Sequence, residues 1–169
     1  MIPQLEGHIT EAQMNAILNI IQTQYRDYVR LTGSPEFNRI FANEYAPHNR
    51  QYGVSWAISS AFPSNMVVAE NLQVTRLVYG KGHTRPVLSN DGIELLILNK
   101  TTDFDATYLQ ERYNFNSNQF NNNKLFAYIK FSVENRMLIE VKLCLPDETG
   151  NVVVEEILLD RAAILALVA

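Results

Sequence analysis

The chain carries a single cysteine, Cys144, and only three histidines, His8, His48 and His83, which lie far apart. One thiol makes no internal disulfide, and scattered imidazoles without cysteine partners lack the spacing of a zinc site. Glycine is scarce as well, at 7 of 169 residues. No Gly-Xaa-Ser-Xaa-Gly elbow, no phosphate loop ending in Gly-Lys-Ser/Thr and no dinucleotide fingerprint occurs, which sets aside serine hydrolases, classical nucleotidases and nicotinamide enzymes. No apolar run approaches the ~20 residues of a membrane-spanning helix. The opening MIPQLEGHIT has neither the charged nor the apolar region of a secretory signal. A reducing cytoplasm and no membrane contact are the expected setting, and the asparagine-rich, cysteine-poor composition suits a bacterial or phage-derived protein.

What is present is enough for one core. Hydrophobic residues make up 47% and charged residues 19% of the sequence, and no linker divides it, so residues 1–169 are expected to form a single domain. The formal net charge of -4 argues against a surface built throughout for nucleic acid. Charge is unevenly distributed. From Arg76 to Lys142 the chain is mildly basic, whereas beyond it Asp147, Glu148, Glu155, Glu156 and Asp160 face only Arg161.

Residues 1–63 read as helical. Thr10 to Gln13 has the form of a capping box, Met14, Ile17, Leu18, Ile21, Tyr25 and Tyr28 recur at helical steps, and Gly33 is placed as the stop. Ser34-Pro35-Glu36 restarts a helix, Pro47 is expected to break or kink it, and residues 52–62 suggest a short buried helix before Pro63. Residues 64–169 change character: LQVTRLVYG, IELLILNK, LFAYIKFSV, MLIEVKLCL and NVVVEEILL are strand-like. The expected fold is α+β, with N-terminal helices on one face of a mainly antiparallel sheet of about five strands. Its last three strands form a meander, and a short C-terminal helix closes the chain. In that meander Leu125, Ala127, Ile129, Phe131 and Val133, with Met137, Ile139, Val141, Leu143 and Leu145, alternate onto a packed face. Tyr128, Lys130, Ser132, Glu140, Lys142 and Cys144 alternate onto a face expected to be largely wet. Between the second and third of these strands, residues 106–112 suggest a short helix and the asparagine-rich residues 114–123 a loop.

Chemistry-bearing groups are few. Cys144 sits within a strand rather than at a helix N-terminus or elbow, which is the place of a bland cysteine. Glu140-Val141-Lys142 puts a carboxylate and an ammonium on one face of a strand. The triplet resembles the catalytic strand of the PD-(D/E)XK nucleases, and that resemblance implies a Mg²⁺ site with Glu140 as ligand and Lys142 assisting the attacking water. A second carboxylate is required. The preceding strand, residues 125–133, has none, so it would come from Asp91, Asp103 or Asp105.

The stretch VYGKGHTRPVLSNDG, residues 78–92, reads as a long connection between two strands. Gly80 and Gly82 give backbone freedom, and Lys81, His83, Thr84 and Arg85 supply donors for an anion. The function expected from sequence is therefore a non-enzymatic binding or regulatory protein, engaging a protein or nucleic-acid partner through this basic loop. The Mg²⁺-dependent nuclease is the alternative. An exposed meander edge and the apolar residues 162–169 also offer surfaces to a second copy, so a homodimer is one expected assembly.

Overall fold

The computed structural model describes residues 2–41, 47–65, 67–80, 83–98, 124–147 and 151–169. After a single 3₁₀ turn at Pro3–Leu5 come helices α1 (Glu11–Thr32), α2 (Pro35–Phe41) and α3 (Pro47–Ser64). Strands follow as β1 (Val67–Ala69), β2 (Leu72–Gly80), β3 (His83–Ser89), β4 (Ile93–Ile97), β5 (Leu125–Glu134), β6 (Met137–Pro146) and β7 (Val152–Leu159), and α4 (Arg161–Leu167) ends the fold.

The N-terminal signals act as their chemistry requires. The Thr10 hydroxyl accepts from the Gln13 N–H at 3.1 Å, and the Gln13 side chain accepts from the Thr10 N–H at 2.9 Å, closing the capping box. Gly33 caps the other end, its N–H donating to the Val29 carbonyl. Ser34 then caps α2, accepting from the Phe37 N–H at 3.1 Å. α3 begins at Pro47 rather than near residue 52 and contains Pro63 in its last turn. Proline suits the first position of a helix, where its missing N–H would have had no partner in any case.

The strands form one seven-stranded sheet in chain order, antiparallel throughout except for the parallel pair β4·β5. The α+β class holds, but the sheet has seven strands rather than about five. β1 was too short to show, and β3 was hidden by Arg85 and Pro86 in a stretch that reads as loop. Gly80 pairs with His83, so β2 and β3 form a hairpin; residues 81 and 82 lie outside the described residues. A parallel pair needs a crossover connection; residues 99–123, on which the expected short helix and asparagine-rich loop fall, lie outside the described residues.

Ile17, Ile21 and Tyr25 of α1 and Val54, Ile58 and Phe62 of α3 share one core with Leu88, Leu95, Ala127, Ile129, Phe131, Val141 and Leu143 of the sheet. Ile164 of α4 joins the same cluster. β5 alternates onto it as the sequence suggests, but β6 departs at its start. Ser132 pairs with Glu140 and Val133 with Leu138, which leaves Ile139 as the extra residue of a bulge. The bulge turns Leu138 inward, where the sequence pattern had placed Met137 and Ile139, and Met137 is exposed.

The opposite face is not largely wet. Val87, Leu96, Phe126, Tyr128 and Cys144 are buried on it, and so is Arg85, at 1% exposure. Its Glu140, Lys142 and Glu155 end stays accessible. The wet reading followed the charged positions and gave too little weight to the aromatic and aliphatic side chains between them.

The β5–β6 turn is a two-residue loop, Asn135-Arg136, with φ of 49° and 66°. Positive φ at both positions gives the strand-matching twist of a type I′ hairpin, for which Asn-Gly is the favoured pair. Arginine in this region carries roughly 1–2 kcal/mol of strain, part of which glycine returns through its freer unfolded chain. Arg136→Gly is expected to stabilise the fold by about 0.5–1 kcal/mol in urea unfolding; a lower midpoint would contradict this account of the turn.

Candidate functional site

The basic stretch is mostly strand. Lys81 lies outside the described residues, while His83 and Thr84 belong by their backbone to the start of β3, paired with Gly80 and Tyr79. Arg85 is within the sheet, its guanidinium buried on the second face. A side chain held there does not reach a phosphate in solvent. At the far end of β3 a tight turn replaces the rest of the expected connection. The Asn90 carboxamide accepts from the Gly92 and Ile93 N–H groups at 2.7 and 2.8 Å and donates to the His8 carbonyl at 3.0 Å. The His8 ring Nδ1 lies 2.9 Å from the Gly92 carbonyl. A Cβ at residue 92 would sit 3.3 Å from the His8 backbone, so the N-terminal segment lies close over this turn.

Glu140 and Lys142 do share a face. Their carboxylate and ammonium are 3.2 Å apart, and Glu155 of β7 approaches the same ammonium at 3.4 Å. The hydrogen bond from Lys142 to Glu140, reinforced by the charges of Glu140 and Glu155, holds the Lys142 pKa above its ordinary value. The ammonium is thus committed to two carboxylates of its own chain.

A second acid from Asp91 is not brought to Glu140. The Gly92 carbonyl accepts the Leu125 N–H at 2.9 Å, at the beginning of β5, whereas Glu140 pairs with Ser132. That separation, Leu125 to Ser132, is roughly 23 Å at ~3.3 Å per strand residue. Asp103 and Asp105 lie outside the described residues. Among the described residues no three of His, Cys, Asp and Glu gather in a way that could hold a metal ion.

Cys144 is 1% exposed beneath Tyr128 and the strand neighbours. Burial, aided by the charge of Glu155, pushes its thiol up to about 11. A thiol so placed stays protonated at neutral pH and is no nucleophile.

A different surface stands out at the sheet's end. β7 pairs with β6 on one side and has no strand on the other among the described residues. Val153 and Ile157 on this edge are 60% and 54% exposed. The pairings of Val141 with Leu159 and Lys142 with Ile157 make Leu158 a bulge residue, and those of Leu145 with Val154 and Pro146 with Val152 do the same for Val153. Between the bulges residues 154–157 stay in regular register. Beside them a groove of about 390 Å³ runs between α1 and the β6–β7 pair, lined by Glu11, Met14, Leu18, Leu143, Glu156 and Leu158 among others. The sequence signal for this surface was the valine-rich, lysine-free NVVVEEILL at the end of a meander. It reads first as a strand, and only the strand order reveals it as an edge.

No helix among the described residues is long and apolar enough to cross a membrane. Comparison of the chain with protein-family models, with curated proteins and with solved structures found no match.

Proposed function

We propose that this protein is a non-enzymatic binding module that engages a protein partner through the outer edge of β7. In this reading the N-terminal helices are the structural layer that closes the core face, and the β6–β7 end of the sheet is the working surface. The observation that carries it is the state of that edge. Edge strands are normally blunted by charged side chains, especially lysine, by proline, by bulges or by a covering element. β7 has two bulges but neither lysine nor proline, and it exposes Val153 and Ile157. An extended segment laid against such an edge gains main-chain hydrogen bonds, with alternate side chains providing selectivity. The binding class is the one expected from composition, and the contact surface moves from the β2–β3 hairpin to β7.

The test is capture from a lysate of the source cells with wild type, with the double variant Val153→Lys and Ile157→Lys, and with Val67→Lys on the other edge strand. The β7 variant is expected to lose the captured proteins and the β1 variant to keep them. An unchanged set with the β7 variant would contradict the proposal. The nuclease reading makes its own forecast, Mg²⁺-dependent cleavage of DNA or RNA that Glu140→Ala abolishes; the binding reading expects no such cleavage.

A further inference from the structure

We infer that the segment received by β7 is a basic one, and that one of its lysine or arginine side chains seats in the groove between α1 and β7. This rests on the reading of β7 as a docking edge and adds the chemistry of the partner. Leu143 belongs to the core face and pairs with Glu156, so Glu156 points to the same side of the sheet as the groove. A strand added beyond β7 would place alternate side chains on that side, about 5 Å from their cross-strand neighbours. One of them would therefore lie beside Glu156, with Glu11 at the N-terminal turn of α1 on the opposite wall. Met14, Leu18 and Leu143 line the same groove and suit the methylene stem of a long cationic side chain.

Charge also discriminates among occupants. The regular run 154–157 contains Glu155 and Glu156 at its centre. Antiparallel pairing of this run with its own copy opposes residues of the same face, so a register centred on Glu155 or on Glu156 sets that carboxylate against its own counterpart in the second copy, and like charges directly opposite are destabilising. The same carboxylates repel acidic segments, including the acidic C-terminal stretch of another copy, and attract cationic ones. Among the described residues the edge has no further strand beside it, and its charge favours a cationic one.

The probe is an eight-residue peptide of alternating lysine and valine, matched to the eight residues of β7. Its counterparts have glutamine for lysine, or N-methyl groups on alternate amides. Binding is followed by fluorescence anisotropy of the labelled peptides, with multi-angle light scattering of the protein alone. The lysine peptide is expected to bind, the glutamine peptide at least about tenfold more weakly, and the N-methylated lysine peptide not at all. Glu11→Gln, exposed and outside the sheet, and Glu156→Gln are each expected to narrow the lysine-to-glutamine difference, while Glu36→Gln on α2 leaves it unchanged. Equal binding of the lysine and glutamine peptides, both lost on N-methylation, would overturn the basic partner and leave the docking edge standing. Binding that survives N-methylation, no binding by any peptide, or a stable dimer of the protein alone would overturn both.

Discussion

Phe131→Ala is expected to cost about 3–5 kcal/mol of unfolding free energy, enough to unfold a large share of a marginally stable domain at physiological temperature. Phe131 is fully buried on β5, the strand that joins the parallel and antiparallel parts of the sheet. Its ring belongs to the cluster that also receives side chains from α1, α3 and β6, so removing it opens a cavity that none of these elements can close alone. Ile157→Ala provides the internal contrast. More than half exposed on the edge strand, Ile157 is expected to change stability by no more than about 0.5 kcal/mol. Urea unfolding of the two variants beside wild type measures both. Comparable losses would mean that β7 is packed rather than presented.

Alkaline pH is expected to remove about 2–3 kcal/mol through Cys144. The thiol's ordinary value of 9.0 is pushed up to about 11 in the folded chain, because burial disfavours the thiolate. Two units at about 1.4 kcal/mol each set the scale. A raised folded pKa leaves the contribution fully present below the unfolded value. Above about 9 the unfolded thiol ionises while the folded one stays protonated, so stability falls with pH until about 11 and then levels. Tyr25, raised chiefly by burial, and Lys142, raised chiefly by its hydrogen bond to Glu140, have the same sign and add to the loss above their own ordinary values. Cys144→Ala is expected to be slightly less stable than wild type near neutrality and to lose less on going from pH 8 to pH 10.5, read by urea unfolding at each pH. In the wild type a thiol reagent near neutral pH is expected to label Cys144 only after unfolding. Rapid labelling of the native chain would contradict the buried, protonated thiol.

Much of the fold was legible where chemistry is local. The capping box at Thr10, the glycine at residue 33 and the cap at Ser34 set helix ends within one or two residues, because each satisfies specific backbone groups. Five strands announced themselves by apolar alternation. β3 did not, since a buried arginine and a proline inside a strand imitate a loop, and only pairing with Gly80 on one side and Leu95 on the other makes it part of a sheet. The bulge at Ile139 likewise has no sequence mark; it depends on how β5 and β6 meet, and it changes which side chains enter the core.

The candidate site was less legible for the same reason. Arg85 reads as a loop cation, and only the pairing of β3 with its neighbours shows that it is buried within the sheet; Lys81 lies outside the described residues. Glu140 and Lys142 were correctly placed on one face, but their third partner, Glu155, came from β7 and made the lysine part of an ion-pair cluster. Edge position is a property of strand order, which no stretch of β7 encodes. The acidic tail noted from composition gained meaning only when its Glu155 and Glu156 were found at the centre of that edge.

Amide hydrogen exchange tests the docking edge most directly. With the alternating lysine-valine peptide added in excess, exchange is expected to slow at β7, most at residues 154–157, while β1 at the opposite edge exchanges as before. Protection that appears at β1 or at the β2–β3 hairpin instead, or β7 amides that exchange at the same rate with and without bound peptide, would contradict the account.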